Sequence, residues 1–270
     1  MSPSATPKIH LYTAGTPNGQ KISITLEELG LEYETTHVDI SKGMQKEEGY
    51  LKINPNGRIP AIVDKTIGKD GKPLDKRVFE GGAIMQYLCA KYDGEGKISY
   101  AYDSDEYWET IEWLTWMQSG LGPMQGQANH FYRYAPTKID YAIKRYQTET
   151  KRLYTILETR LASQKSLSAP SGPWLVGSKL SIADLACFSW VNWAEWAGVY
   201  LEREEGKEFG VLREWVGRIN ERGAVKRGLN VPEPFAMKEK MQSKEGEEEF
   251  AKFHSGWVMK GQDQDQETHK

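Results

Sequence analysis

The sequence predicts an α/β N-terminal half followed by an all-helical half, and three observations support this prediction. Over roughly the first hundred residues, short β-prone runs alternate with helical patterns, as is typical of an α/β unit with a mixed sheet. After about Gly96 the β-prone runs disappear and apolar residues recur at helical spacing. From Pro232 onward the composition becomes strongly charged. We therefore expect three regions, at residues 1–98, 99–230 and 231–270, the last a charged C-terminal tail.

The composition is typical of a globular chain and excludes several classes of function. Aromatic residues make up 11% of the 270 residues, with 9 Trp and 14 Tyr, which is ample material for a buried core. A net charge of -3 gives no electrostatic reason to expect nucleic acid or an acidic membrane surface as a partner. No run approaches the roughly 20 apolar residues of a bilayer span, and the N-terminus lacks the pattern of a secretory signal.

Cysteine is sparse in this sequence. Cys89 and Cys187 are the only two, and they lie far apart in apolar surroundings. This usage fits a reducing compartment and excludes a disulfide framework or a cysteine-rich zinc site. We therefore expect a soluble, cytoplasmic protein that carries no metal.

The elements of the N-terminal half follow the order βαβαββα. The first strand is predicted at Ile9–Tyr12, and the first helix places Ile22, Leu26 and Leu29 on one face before Gly30 ends it. The remaining elements are a strand at Tyr33–Ile40, a short helix around Glu47–Lys52, strands at Ile59–Val63 and Val78–Glu80, and a helix at Gly82–Tyr92.

Helical periodicity dominates the second half, at residues 104–119, 138–161, 181–196 and 214–220. The third stretch opens on Ser181 and Asp184, which are spaced as a capping box. Ser181 is expected to accept a hydrogen bond from the Asp184 amide, while the Asp184 carboxylate accepts from the Ser181 amide. This pairing predicts a helix start that is buried but has its amides satisfied.

Two interpretations of the tail remain open. The mixed-charge run Lys238–Lys252 favours a solvated segment. An apolar patch within the tail could instead dock on the body of the protein; its members are Phe250, Phe253, Trp257 and Val258.

Five sequence blocks occur in an order that is typical of one protein family. Residues 54–60 read Asn-Pro-Asn-Gly-Arg-Ile-Pro, residues 79–84 read Phe-Glu-Gly-Gly-Ala-Ile, and a Trp-Leu-Val-Gly motif precedes the capping box within 174–184. These blocks resemble the glutathione S-transferases over roughly residues 8–230. Thr-Pro-Asn-Gly at 16–19 and the block at 121–136 resemble the bacterial Nu class and its fungal relatives, including the nitrogen-regulator-like subfamily. The resemblance implies a thioredoxin-like N-terminal domain that binds glutathione and an all-α C-terminal domain.

The resemblance also assigns positions to the cysteinyl and glycyl parts of glutathione. Pro60 is expected to follow a cis peptide bond, leaving the Ile59 backbone exposed to pair with the cysteinyl unit as an added strand does. The alternative is a plain strand-initiating proline. Gln45 and Arg58 are expected at the glycyl end, although each would otherwise be interpreted as a solvated surface residue.

The γ-glutamyl end is expected at Glu80 and Gly81, by the same resemblance. Glu80 would accept from the α-ammonium of the ligand, and the Gly81 amide at a helix N-terminus would bind its carboxylate. The family usually has serine where this chain has Gly81. The missing hydroxyl removes a contact worth about 1.5–3 kcal/mol in favourable cases, so we expect weaker glutathione binding.

Thiol activation is expected from Thr16 and Asn18. A free thiol has a pKa of about 8.5, and donors at a helix start favour the thiolate. Helix capping is the alternative role of Asn18, and Tyr12 is a rival activator, although it lies inside the first strand. Residues 14–18 contain no cysteine, so no mixed disulfide with the protein can form there.

The resemblance to Nu-type sites implies a second pocket that holds another glutathione or the second half of glutathione disulfide. The expected wall of this pocket consists of Gln127, His130, Tyr132 and Arg145. The alternative for Arg145 is a salt-bridge ladder with Glu149 and Arg152 along one helix face.

These residues support a glutathione-dependent disulfide oxidoreductase of Nu type. Two alternatives remain. One is a transferase that conjugates glutathione to an electrophilic small molecule, in detoxification or secondary metabolism, and the other is a non-catalytic glutathione-binding regulator. The expected partners are glutathione, glutathione disulfide and a small-molecule substrate, and the family resemblance implies a homodimer.

Overall fold

In the computed structural model, which describes residues 6–165, 171–202 and 209–268, four short strands form one mixed sheet. The strands are β1 (Ile9–Thr13), β2 (Tyr33–His37), β3 (Ala61–Asp64) and β4 (Lys76–Phe79), in the spatial order β2-β1-β3-β4. β1 and β2 are parallel, whereas β3 is antiparallel to both β1 and β4. This sheet confirms the predicted α/β fold class of the N-terminal half.

Strand β2 is shorter than predicted because Asp39 starts a new turn. Its carboxylate accepts from the Ser41 amide at 3.0 Å and caps the 3₁₀ turn Ile40–Lys42. A second 3₁₀ turn, Met44–Lys46, leads into helix α2 (Glu48–Leu51).

Helix α1 (Pro17–Leu29) begins and ends where its sequence signals predict. Thr16 is the N-cap residue, and Gly30 ends the helix in the left-handed conformation at a φ of 68°. Gly19 packs so closely on the end of β1 that a Cβ atom would lie 2.1 Å from the Ala14 carbonyl oxygen. Only glycine therefore allows the helix to start at this place. Helix α3 (Gly81–Tyr92) follows β4 directly.

The second half is helical, as predicted. Its helices are α4 (Asp105–Trp116), α5 (Gly122–Asn129), α6 (Asp140–Gln164), α7 (Ile182–Val191) and α8 (Gly210–Glu221). Two π-helical segments interrupt this series, at Met117–Leu121 and at His130–Tyr134, and the latter is called the 130–134 segment below. A 3₁₀ turn, Ala194–Ala197, follows α7.

The capping box at the start of α7 is confirmed. The buried Asp184 carboxylate accepts from the amides of Ser181 at 3.0 Å and Leu175 at 2.9 Å. It also accepts from the Trp215 indole at 3.0 Å. Burial raises the pKa of the Asp184 carboxyl, and these hydrogen bonds oppose that shift. This one side chain thus joins α7 to the preceding loop and to α8.

Helix α9 (Gly223–Leu229) returns to the N-terminal unit, whereas the predicted boundaries assigned it to the helical region. One compact unit combines the described part of Met1–Ile98 with Gly223–Phe235. The Ser23 hydroxyl donates to the Gly228 carbonyl at 2.6 Å, and Arg227 pairs with Glu27 at 2.6 Å. These contacts fasten α9 along α1.

The remaining described residues form the second compact unit, Ser99–Arg222 with Ala236–Lys270. The segment expected as a tail contains helices α10 (Met237–Lys240) and α11 (Lys244–Thr268). Phe250 packs on Trp196, whereas Phe253 is 62% exposed and the Trp257 side chain lies outside the described structure. Of the two interpretations of the tail, docking on the body of the protein is therefore the one observed for Phe250. Among the described residues, no helix is long and apolar enough to cross a bilayer.

Candidate functional site

The sheet topology brings three of the predicted groups to one end of the N-terminal unit. Tyr12 of β1 pairs with Ala61 of β3, and Ala61 also pairs with Phe79 of β4. β1 ends just beyond this register, β3 begins at it, and β4 ends at it. The start of α1, the loop before β3 and the start of α3 therefore meet at the same edge of the sheet.

Of Thr16 and Asn18, it is Thr16 that caps helix α1, whereas the sequence left helix capping open for Asn18. Thr16 is the cap, because its hydroxyl oxygen accepts from the Gly19 amide at 3.2 Å. This bond uses an oxygen lone pair and leaves the hydroxyl hydrogen available to donate. The half-buried Asn18 side chain makes no hydrogen bond to any residue that the structure describes. Both side chains can therefore donate to an anion at the start of α1.

The loop before β3 is held by side chains from α2 and its neighbourhood. The Arg58 carbonyl accepts a hydrogen bond from the Tyr50 hydroxyl at 2.7 Å and another from the side-chain Nδ2 of Asn54 at 2.6 Å. The peptide bond between Ile59 and Pro60 is cis, as predicted. Within the described ranges, neither the N–H nor the C=O of Ile59 forms a hydrogen bond. The loop therefore presents one unpaired backbone donor and one acceptor, the requirement for pairing with an extended peptide.

The start of α3 carries an unusual backbone. Glu80 has a φ of 68° and a ψ of 119°, a conformation that costs a non-glycine residue about 1–3 kcal/mol. The Glu80 side chain is exposed, and Gly81, the first residue of α3, is buried. The amides of this helix start and the carboxylate of Glu80 thus offer opposite charges side by side.

Lys21 is a buried cation at this helix start, and sequence reasoning missed it. A Cβ atom on Gly81 would lie 3.1 Å from Lys21 Cδ and 3.5 Å from its Nζ. The Lys21 side chain is fully buried. In the sequence, Lys21 precedes Ile22 within an ordinary helical pattern, which is typical of a solvated lysine. Its burial against α3 results from tertiary packing, which the sequence pattern does not reveal. The ammonium adds positive charge where the macrodipole of α3 already attracts anions.

Gln45 and Arg58 differ in their surroundings. Gln45 is buried, and its Oε1 atom has no hydrogen-bond partner in the described part of the chain. A buried amide oxygen without a partner is uncommon and typical of a site that a ligand or water completes. Arg58 is exposed.

Tyr12 occupies a structural position. Its ring stacks on His10 with centroids 4.4 Å apart and contacts the Tyr50 ring edge-on at 6.2 Å. Burial raises the pKa of the Tyr12 hydroxyl, and the nearby Glu34 carboxylate adds to the shift. The ring therefore connects β1 to α2.

The residues expected around a second pocket lie in the helical unit. Gln127 is an exposed residue of α5, and Arg145 on α6 is exposed and 3.8 Å from Glu149. Glu149 also pairs with Arg152 at 2.7 Å, so the salt-bridge ladder is present. His130 and Tyr132 are half-buried in the 130–134 segment.

Two further properties limit the chemistry of these groups. Burial lowers the pKa of His130, which keeps its imidazole neutral near pH 7. Both Cys89 and Cys187 are buried. No group of three or more His, Cys, Asp or Glu side chains among the described residues could hold a metal ion.

The mixed four-stranded sheet, the cis-proline loop and the appended helices define a thioredoxin-like α/β domain joined to an all-helical domain. Residues 7–90 match the family model for the glutathione S-transferase N-terminal domain, and residues 123–223 match that for the C-terminal domain. The chain therefore belongs to the glutathione S-transferase family of enzymes.

Three relatives place it within that family. It is 42% identical over 222 residues to the disulfide-bond oxidoreductase YfcG of Escherichia coli, covering 82% of this chain and 94% of YfcG. A glutathione transferase homologue from Lodderomyces elongisporus, solved with two glutathione molecules per subunit, is 40% identical with a TM-score of 0.74, covering 83% of this chain and 99% of its own. URE2P6 from Phanerochaete chrysosporium, solved with oxidized glutathione, is 39% identical with a TM-score of 0.72, covering 84% and 96%. The relatives thus include both the bacterial oxidoreductase type and the Ure2p-like type expected from the sequence.

Proposed function

We propose that this chain is a glutathione-dependent disulfide oxidoreductase in which Thr16 and Asn18 stabilise the glutathione thiolate. The observation that carries the proposal is the pair of available donors at the start of α1: the Thr16 hydroxyl keeps its hydrogen and the Asn18 side chain makes no hydrogen bond to the described residues. Residues 14–18 contain no cysteine, and the proposal therefore takes the reacting sulfur from the ligand.

Two hydrogen bonds to the thiolate supply enough free energy to lower the thiol pKa into the neutral range. Lowering a thiol pKa from about 8.5 by two units requires about 2.7 kcal/mol. A hydrogen bond to a charged group contributes about 1.5–3 kcal/mol, so two donors suffice. The proposal therefore needs no basic residue beside the sulfur.

The rest of glutathione would lie along the edge of the sheet described above. The Ile59 N–H and C=O would pair with the cysteinyl unit, because both are unpaired within the described chain. The γ-glutamyl carboxylate would bind the Gly81 amide, with Lys21 behind it, and its ammonium would bind Glu80.

The glycyl carboxylate would bind at Gln45 and Arg58. The buried Gln45 amide lacks a partner at its oxygen, and a bound ligand or water would complete that site. Arg58 would supply a positive charge from the exposed side.

The reaction requires two glutathione thiols and no protein sulfur. The first thiolate attacks a disulfide R–S–S–R, forming a glutathione–R mixed disulfide and releasing R–S⁻, which takes up a proton. A second thiolate then attacks the glutathione sulfur of the mixed disulfide and releases the other R–S⁻. Two glutathione molecules are oxidised to glutathione disulfide while one substrate disulfide is reduced to two thiols.

The helical unit would supply contacts for the second substrate molecule. Gln127, His130, Tyr132 and Arg145 are the proposed residues. Their polar, hydrogen-bonding side chains, with the positive charge of Arg145, suit glutathione better than an apolar electrophile. Arg145 is expected to contribute least to substrate binding among these four residues, because its charge is already paired with Glu149.

We also propose a cytoplasmic homodimer, for which sedimentation of the purified chain should give twice the monomer mass.

The decisive assay compares two substrates. The purified chain is supplied with glutathione and either hydroxyethyl disulfide or a chlorodinitrobenzene-type electrophile. We expect turnover of the disulfide to dominate. Strong conjugation with negligible disulfide reduction would instead identify a conjugating transferase, and glutathione binding without either reaction would identify a non-catalytic binder.

A further inference from the structure

Helix α11 packs against the 130–134 segment of the helical unit. We infer that α11 is a positioning element for the second substrate molecule: it fixes Tyr132 through Arg133 and thereby sets the affinity for glutathione disulfide. The functional half of this inference rests on the proposed function, whereas the structural half stands on contacts within the helical unit alone.

The first contact is an ion pair between α11 and the 130–134 segment. Glu247 pairs with the guanidinium of Arg133, whose side chain is only 8% exposed. Arg133 Nε also donates to the Trp196 carbonyl at 3.0 Å. The guanidinium lies over the Tyr132 ring, 4.4 Å from its centroid. Removing the Glu247 charge takes away the ion-pair partner of this guanidinium. We therefore expect the guanidinium to shift relative to the Tyr132 ring that it covers.

The second contact fixes the end of the segment. The Ser255 hydroxyl on α11 donates to the Tyr134 carbonyl at 2.7 Å. The Tyr134 hydroxyl in turn accepts from the Trp196 indole at 2.5 Å. A π-helical turn ends with unpaired carbonyls, so a side chain that satisfies one of them stabilises this rare conformation.

The third contact is aromatic. The Phe250 ring lies 5.0 Å from Trp196, 6.5 Å from Trp193 and 4.2 Å from His254, measured between centroids. Trp196 is among the largest fully buried side chains of the chain. Phe250 therefore anchors α11 by covering an indole that also holds Tyr134.

The position of α11 in the chain makes it an addition to the family framework. The family model for the C-terminal domain ends at residue 223, and α11 begins at Lys244. Helix α11 thus lies outside the shared domain and contacts Arg133 and Tyr134, the two residues that follow the proposed substrate residue Tyr132. Such an element can adjust specificity without altering thiol activation.

The chain offers matched pairs of variants for a test. Glu247→Gln removes the ion pair, while Glu248→Gln changes the adjacent residue, whose side chain is 70% exposed. Phe250→Ala removes the aromatic anchor, while Phe253→Ala changes a 62% exposed phenylalanine on the same helix. Phe250→Leu retains an apolar anchor and serves as the rescue variant.

Three measurements on the whole 270-residue chain separate the structural and functional halves of the inference. Amide hydrogen exchange of residues 130–135 should accelerate about tenfold in Glu247→Gln and Phe250→Ala, and should not change in the two controls. The Kd for glutathione disulfide, measured by calorimetry, should rise about five- to fiftyfold in the same two variants and recover in Phe250→Leu. The pKa of the bound glutathione thiol should stay constant in all of them.

Each contrary result has a definite meaning. Unchanged exchange at 130–135 overturns the structural contact, and faster exchange with an unchanged Kd shows that α11 merely adds stability, which overturns the inference. A wild-type chain that does not bind glutathione disulfide overturns the proposed function, whereas loss of binding only in Glu247→Gln and Phe250→Ala supports both.

Discussion

Replacing Asn18 by alanine separates thiol activation from helix capping. Thr16 caps α1 through the Gly19 amide, and the Asn18 side chain makes no hydrogen bond to the described residues. Asn18→Ala should therefore change the free energy of unfolding by no more than about 0.5 kcal/mol. The same substitution removes a donor worth about 1.5–3 kcal/mol to a thiolate. At 1.36 kcal/mol per pKa unit, the pKa of bound glutathione should rise by about one to two units.

The assay follows the ultraviolet absorbance of the thiolate during a pH titration of the glutathione complex. With a bound thiol pKa of about 6.5 in the unsubstituted chain, a rise of this size lowers the thiolate fraction at pH 7 about three- to twenty-fivefold, and the kcat for disulfide reduction should fall by the same factor. Thr16→Val is the contrasting variant, because it removes the cap as well and should also cost about 0.5–2 kcal/mol of stability. An unchanged thiol pKa in Asn18→Ala would refute the proposed role of this residue.

Three other changes test different parts of the molecule. Gly81→Ser should lower the Kd for glutathione about tenfold, because it adds a hydroxyl donor and the flexible Lys21 stem can yield to its Cβ. Burial lowers the pKa of His254 to about 4, so the unfolded chain binds a proton that the folded chain resists. The free energy of unfolding, from urea titrations, should therefore fall as pH drops from about 6.5 to about 4. Asp184→Asn should destabilise the helical unit by about 3 kcal/mol, measured in the same way, because it breaks a buried network.

The controls for these changes are also in the chain. Gly81→Ala adds the Cβ without the hydroxyl and should not tighten binding; equal gains in both variants would attribute the effect to helix propensity. His254→Phe should remove the loss of the free energy of unfolding between pH 6.5 and pH 4, and a loss of unchanged size in this variant would contradict the role of His254. Asp140→Asn, at an exposed helix start, should cost less than about 1 kcal/mol, and a similar loss at both aspartates would contradict the network at α7.

Features set by local sequence were predictable. Gly30 ends α1, and Ser181 with Asp184 starts α7, because capping depends on residues within one helical turn. The fold class followed from the same local signals. The positions of Ile59 and Glu80 at one edge of the sheet followed only after the strand register was known. A family resemblance could assign them roles, but periodicity could not.

Other features depend on contacts between distant residues and left no local signal. Lys21 lies within an ordinary helical pattern, and its burial beside Gly81 results from the packing of α3 on α1. The positive φ of Glu80 is imposed by the junction of a strand and a helix on a residue type that does not favour it. Phe250 stands in a charged run, so its docking on Trp196 could be offered only as one alternative.

The return of α9 to α1 has a consequence for how the chain is made. The Ser23 hydroxyl and the Gly228 carbonyl that it bonds are separated by 205 residues. At about 5–20 residues per second, a ribosome needs roughly 10–40 s to synthesise the stretch between them. During that interval the face of α1 around Ile24 lacks the partner that closes on it through Gly228. The N-terminal unit thus begins to be synthesised before the helical unit, yet its last helix arrives only after the bulk of the helical unit has been synthesised.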